Sequence, residues 1–240
     1  NTLLGSLINQ NPNVCLSGNS VLLDVLWELE KIKKGKGFLN FPDIESFENI
    51  TKNVFENYYS RHKANTIIVR GSWGTPDNLN QIKQNITKKP KFILLYRPVV
   101  ECLASFKKAG TSLSEEEMYS EYMDLHGMIH MNYFAMKNII EQNEEHIFIN
   151  YVDLVTKPVN TIKKIFNFIE EDYIPIRITD FEQFKSNNIF YDDNVLDSKT
   201  MHKIDTKEIK DKKIKIEDYL SKDTIDRCIR MDTIKNEQQT

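Results

Sequence analysis

The stretch from Lys91 to Lys108 constrains the fold more than any other part of the chain. Its first half, Phe92-Ile93-Leu94-Leu95-Tyr96, is an unbroken apolar run of strand length, which suits a parallel strand covered on both faces. Arg97 ends the run, and Pro98 fits the first turn of a helix, where a missing N–H costs nothing. Val99, Cys102, Leu103 and Phe106 then recur at helical spacing. The unit reads strand, tight turn, helix.

In an open parallel sheet, ligands bind beyond the carboxyl ends of the strands, where a helix N-terminus offers free N–H groups and positive potential to an anion. Arg97 stands at that point. Its planar fork suits a phosphate better than an ammonium does, and Ser105, two turns into the helix, adds a hydroxyl if the phosphate lies along that face. The other reading of the same residues is an arginine in a surface ion pair and a serine facing solvent.

Composition narrows the class. With 240 residues, 40% of them hydrophobic, the chain suits one sizeable α/β domain spanning 1–240. A formal net charge of −3 gives no global basic field, so nucleic acid is not an expected partner and any anion site must be local. Cys15, Cys102 and Cys228 are widely spaced, odd in number and lack a Cys-x-x-Cys pair, the pattern of reduced structural thiols. No run approaches the ~18 apolar residues of a membrane span and no signal peptide is visible, so the expectation is a cytoplasmic protein.

In chain order, Leu3, Leu4, Leu7 and Ile8 predict a short helix stopped by Asn11-Pro12-Asn13, with Thr2 as its N-cap. Ser17-Gly18-Asn19-Ser20 is turn-like. Val21 to Lys33 reads as a helix with Leu22, Val25, Leu26 and Leu29 buried. Gly35-Lys36-Gly37 reads as a mobile break, and Ile44 to Lys63 as an amphipathic helix through Ile44, Phe47, Ile50, Val54 and Tyr58, either an ordinary packed helix or a lid over an acceptor. Thr66 to Val69 is a short strand. Arg70-Gly71-Ser72-Trp73-Gly74 then offers a backbone that approaches a ligand closely beside a flat, half-buried ring.

Ser114-x-x-Glu117 is a capping box, expected to open one long helix to about Glu141 with Met118, Tyr122, Leu125, Met128, Ile129, Phe134 and Met136 as its core side. His126 and His130, four apart on that helix, are candidates for a shared metal or for a general base. Zinc needs further ligands, which no Cys or His-Glu-x-x-His pattern supplies, so no metal is expected. His146 to Tyr151 is another buried strand, followed by a helix with Val159, Ile162, Ile165, Phe166 and Ile169 on one face. Asp205 to Lys215 is a solvated charge run, and Tyr219 to Ile234 a closing helix.

Three of these stretches together resemble the PAPS-dependent sulfotransferases. Arg97 followed eight residues later by Ser105 at a strand-to-helix junction is similar to the family's 3′-phosphate motif. Thr2-Leu3-Leu4 with Asn11-Pro12 looks like the second half of its phosphosulfate loop, the first half and the preceding strand being expected upstream of Asn1. Tyr151, Asp153, Leu154 and Pro158 keep the spacing of its Tyr-Glu-Asp-Leu-x-x-x-Pro segment, with Val152 in the Glu place. The resemblance implies a three-layer α/β domain of P-loop type around a short central parallel sheet. It also implies PAPS as donor, no metal, and a small-molecule, carbohydrate or peptide hydroxyl (or an amine) as acceptor.

Residue by residue, the resemblance implies Arg97 and Ser105 at the 3′-phosphate, Thr2 at the 5′-phosphosulfate, Tyr151 near the adenine, and Arg70 stabilising charge on the sulfuryl group. Lys203, and less directly His202, match a basic C-terminal loop that covers the 3′-phosphate, here within Asp197-Ser198-Lys199-Thr200-Met201-His202-Lys203-Ile204. Two departures leave the general base unassigned: Asn19 stands in the place of a glutamate, and Ser72 in the place of a catalytic histidine. The rivals are a P-loop kinase, with Asp153 as its one tempting magnesium carboxylate, and a nonenzymatic binding protein with a degenerate site.

Overall fold

The protein is described here by a computed structural model covering residues 1–110, 112–196, 201–210 and 213–234. Its elements run α1 (Thr2–Ile8), β1 (Val14–Asn19), α2 (Leu22–Lys33), α3 (Lys36–Asn40), α4 (Ile44–Tyr59), β2 (Thr66–Arg70), α5 (Pro76–Asn85), β3 (Phe92–Tyr96), α6 (Val99–Lys108), α7 (Glu115–Met123), α8 (Met128–Glu141), β4 (His146–Asn150), α9 (Tyr151–Thr156), α10 (Pro158–Phe168) and α11 (Lys222–Met231).

The strands pair in parallel as β1 with β2 and β3 with β4. A parallel pair needs a long crossover, and helices supply it in both cases: α2 to α4 between β1 and β2, α6 to α8 between β3 and β4. The expected α/β class with parallel strands is present, with the strands hydrogen-bonded as two pairs.

Alternation along β3 and β4 puts helices on both faces. Ile93, Leu95, Ile147 and Ile149 pack with Val14 and Leu16 of β1 against Leu4, Leu7 and Ile8 of α1 and Ile162, Ile165 and Phe166 of α10. On the other face Tyr96 and Phe148 meet Val99 and Leu103 of α6, Met118 of α7 and Tyr133 of α8. Helices therefore cover both sides of the strands, the three-layer arrangement that double burial demands.

Several local expectations are corrected. The turn-like Ser17-Gly18-Asn19 is the end of β1, because parallel pairing with β2 outweighs weak strand propensity. Asn1, not Thr2, is the N-cap of α1, and Pro98 caps α6 one residue before its first turn. The Gly35-Lys36-Gly37 stretch opens helix α3. On α4 the buried positions are Thr51 and Tyr59, while Ile44, Ile50 and Tyr58 are exposed. Trp73 is buried among Leu22, Leu26, Tyr59 and Ile82, where it cannot stack on a ligand. Tyr151 begins helix α9 rather than ending β4.

The capping box at Ser114 and Glu117 is present with both reciprocal bonds. The long helix it was expected to open breaks between Met123 and Met128. Gly127 permits the break, since a Cβ there would fall 2.4 Å from the Tyr122 carbonyl carbon. Leu125, Met128 and Phe134 are consequently exposed. His126 lies in the break and His130 Nδ1 pairs with the Met123 carbonyl, so the two share no helix face. All three cysteines are free thiols. Among the described residues no helix is long and apolar enough to cross a membrane.

Candidate functional site

Strand register brings the polar residues together. Asn19 and Arg70 are opposed at the carboxyl ends of β1 and β2, and Tyr96 opposes Asn150 at those of β3 and β4. The next residues along the second pair, Arg97 and Tyr151, are therefore neighbours. The Arg97 guanidinium lies over the Tyr151 ring, 4.7 Å from its centroid, a cation–π contact that fixes the fork. Asn1, exposed at the start of α1, lies within electrostatic reach of both the Arg70 and the Arg97 guanidiniums. The start of α1 thus lies in the positive field of both arginines.

Arg97 also has an internal anion. Its Nε donates to Glu101 Oε2 at 3.0 Å, with side-chain exposures of 19% and 34%. Ser105 stands one further turn along that face, four residues beyond Glu101, and its hydroxyl has no protein partner among the described residues. Arg97 is thus ion-paired, as one of its two readings expects, and Arg97, Glu101 and Ser105 mark one side of α6.

The N-terminus of α6, expected to be open to a ligand anion, is filled from the far end of the chain. Asp232 accepts from Val99 N–H at 3.0 Å and from the Tyr96 hydroxyl at 2.9 and 3.0 Å. Burial, with this carboxylate beside it, pushes the Tyr96 phenol far up. Replacing Asp232 by alanine is expected to cost about 1–3 kcal/mol, because a buried hydroxyl and a helix N–H lose their acceptor together. Urea unfolding at neutral pH measures it; an unchanged midpoint would show that Asp232 does not hold α6.

Arg70 belongs to a second group. Its Nη1 donates to the Tyr191 hydroxyl at 2.8 Å, and the guanidinium lies 5.7 Å from that ring centroid. Tyr191 OH also accepts from Asn19 N–H at 3.1 Å. Tyr191 stacks on His202 on one side and on Phe184 on another. Phe184 is seated against α1 at Gly5, where a Cβ would come within 2.4 Å of its ring. A C-terminal segment is thereby tied over the ends of β1 and β2.

The remaining candidates fall around these two groups. Thr2 opens α1 and is half-buried, and the N-cap Asn1 before it makes no side-chain capping bond. Lys203 is exposed and close enough to Asp193 to help hold that carboxyl below its usual range; the preceding Asp197 to Thr200 of the expected basic loop lie outside the described residues. Asp153 is exposed on α9, 3.7 Å from Lys157, and does not point a magnesium carboxylate at the arginines. Ser72 is half-buried and its carbonyl accepts from Asn78. Among the described residues no His, Cys, Asp and Glu cluster has the makings of a metal site.

Glu101, Tyr191, Asp193 and Asp232 were not singled out from sequence. Only Glu101 carried a local signal, the four-residue spacing from Arg97 that permits an ion pair. The others arrive from far along the chain.

No family model matches the chain, and no curated protein matches it. Among solved structures it is similar to a sulfotransferase domain from the curacin biosynthetic pathway, at 15% identity over 72% of this chain and 71% of that one, with a TM-score of 0.44.

Proposed function

We propose that this chain moves the sulfuryl group of 3′-phosphoadenosine 5′-phosphosulfate to a hydroxyl or amine by in-line displacement. One observation carries the reading: Arg70 and Arg97 stand at the carboxyl ends of different parallel strands, and both lie near the start of α1. Two positive groups near one helix start suit a donor with negative charge at both ends. The resemblance of the Arg97 to Ser105, Thr2 to Asn11-Pro12 and Tyr151 to Pro158 stretches supplies the choice of donor.

In this reading Arg97 and Ser105 hold the 3′-phosphate, with Tyr151 beneath the guanidinium and beside the adenine. Thr2 faces the phosphosulfate, Arg70 stabilises charge on the transferring group, and Lys203 covers the nucleotide. The chemistry asks little more of these groups than alignment and preorganised positive charge where the leaving phosphate gathers electrons.

Calorimetry tests it. Adenosine 3′,5′-bisphosphate is expected to bind without magnesium and ATP with magnesium to bind far more weakly; the reverse order would move the assignment to a kinase. A second reading, a binding protein without turnover, is favoured by Glu101 on Arg97 and by Asp232 at the head of α6. It predicts no affinity for either nucleotide.

The Arg97–Glu101 pair gives a prediction of its own. An incoming phosphate must displace or share the guanidinium with Glu101, and a partly buried pair of this kind contributes on the order of 1 kcal/mol. Glu101→Gln is therefore expected to tighten bisphosphate binding by about 2- to 5-fold. Weaker binding in the same titration would mean that Glu101 helps to hold the ligand or the fork.

A further inference from the structure

We propose that His202 is the general base of this transfer, with Asp193 as its positioning residue. The inference rests on the preceding reading for its reaction, and on a separate set of atoms for its evidence. Asp193 Oδ1 lies 2.6 Å from His202 Nδ1, and Asp193 Oδ2 accepts from the His202 backbone N–H at 2.9 Å. The two side chains are 10% and 11% exposed. A carboxylate held by two bonds on one side of an imidazole fixes the proton on Nδ1 and leaves the lone pair on Nε2.

Nε2 makes no hydrogen bond to protein among the described residues. The ring lies flat on Tyr191, with centroids 3.8 Å apart and planes 13° from parallel. Arg70 reaches the hydroxyl of that same tyrosine. Base and guanidinium therefore flank one aromatic ring at the ends of β1 and β2, where the transferring group is assigned. Among the described residues the titratable groups around the imidazole are Asp193 and Tyr191, with Arg70 beyond the ring and Lys203 next along the chain. Burial alone would raise the Asp193 carboxyl, but its bonds from His202 and the Lys203 charge hold it below its usual range. It stays anionic and favours the imidazolium that forms.

In the step itself the acceptor O–H bond breaks and its proton goes to His202 Nε2. The acceptor oxygen bonds to sulfur as the sulfur–oxygen bond to the 5′-phosphate breaks, and that electron pair leaves on adenosine 3′,5′-bisphosphate. The imidazolium then returns its proton to solvent.

The test compares the wild type, His202→Gln and Asp193→Asn. Each is titrated with adenosine 3′,5′-bisphosphate and assayed for release of that product from the donor, with phenol and with water as acceptors. The expected result is release slowed about 10²- to 10⁴-fold in His202→Gln, well beyond any change in its bisphosphate affinity. The wild-type rate is expected to fall toward acid pH and the residual rate of His202→Gln to lose that dependence. Nitrogen NMR of the wild type is expected to show the Nδ1–H tautomer. Turnover of His202→Gln within 2-fold of wild type across pH, a resting Nε2–H tautomer, or a wild type that binds the bisphosphate but never releases it from the donor overturns the role of His202. Absence of bisphosphate binding in all three chains removes the sulfuryl-transfer reading itself, and the base with it.

Discussion

Arg97→Ala is expected to weaken adenosine 3′,5′-bisphosphate binding about 10- to 100-fold. A charge-assisted bond to a phosphate is worth about 1.5–3 kcal/mol, and each 1.4 kcal/mol is tenfold in affinity. Arg97 is the group best placed to supply it, its fork already fixed over Tyr151 and beside Glu101. Arg97→Lys should fall between, since a lysine keeps the charge but not the planar fork. The alanine variant should also lose about 1 kcal/mol of stability, because it leaves the partly buried Glu101 without its partner and removes one ring contact. Calorimetry reads the affinity and thermal unfolding the fold; wild-type affinity in the alanine variant would remove Arg97 from the site.

Phe166→Ala is the substitution expected to cost most in stability, about 3–5 kcal/mol. Phe166 is 1% exposed and meets Tyr173 edge-on at 6.2 Å between centroids. It belongs to the core in which α1, α10, β1 and β4 converge. The loss reaches the site because α1 and the strands that carry the polar residues rest on that core. Urea unfolding should show a lower midpoint with an unchanged slope. The control is Phe190→Ala, at an exposed position, which should stay within about 0.5 kcal/mol of wild type. A small effect at Phe166 would mean that the core can collapse around the missing ring.

How far each element was legible follows from how local its cause is. β3, α6 and α10 are written in short-range pattern: an apolar run, then a proline, then residues at helical spacing. The capping box of α7 is a four-residue code and was read correctly for the same reason. β1 was missed because Val14-Cys15-Leu16 is a brief apolar run followed by Ser17-Gly18-Asn19, residues that favour turns until a partner strand supplies hydrogen bonds. The break between α7 and α8 hid behind a continuous apolar period, and only the close approach at Gly127 reveals it. Trp73 looked like a ligand platform beside two glycines, and the packing of α2 and α4 placed it in the core instead.

By itself the sequence determined the parallel α/β class, the positions of Arg70 and Arg97 at strand ends, and the spacing of Ser105 from Arg97, since all of these depend on neighbours within a few residues. Tertiary structure alone decided which charges those residues meet. Asp232 comes from 133 residues beyond Val99 to head α6, and Tyr191 from 121 residues beyond Arg70 to take its guanidinium. His202 and Asp193 come to rest on the strand ends through that same tyrosine. Such contacts carry no local periodicity, because a side chain folded back from a distant segment is selected by the shape and charge it finds there.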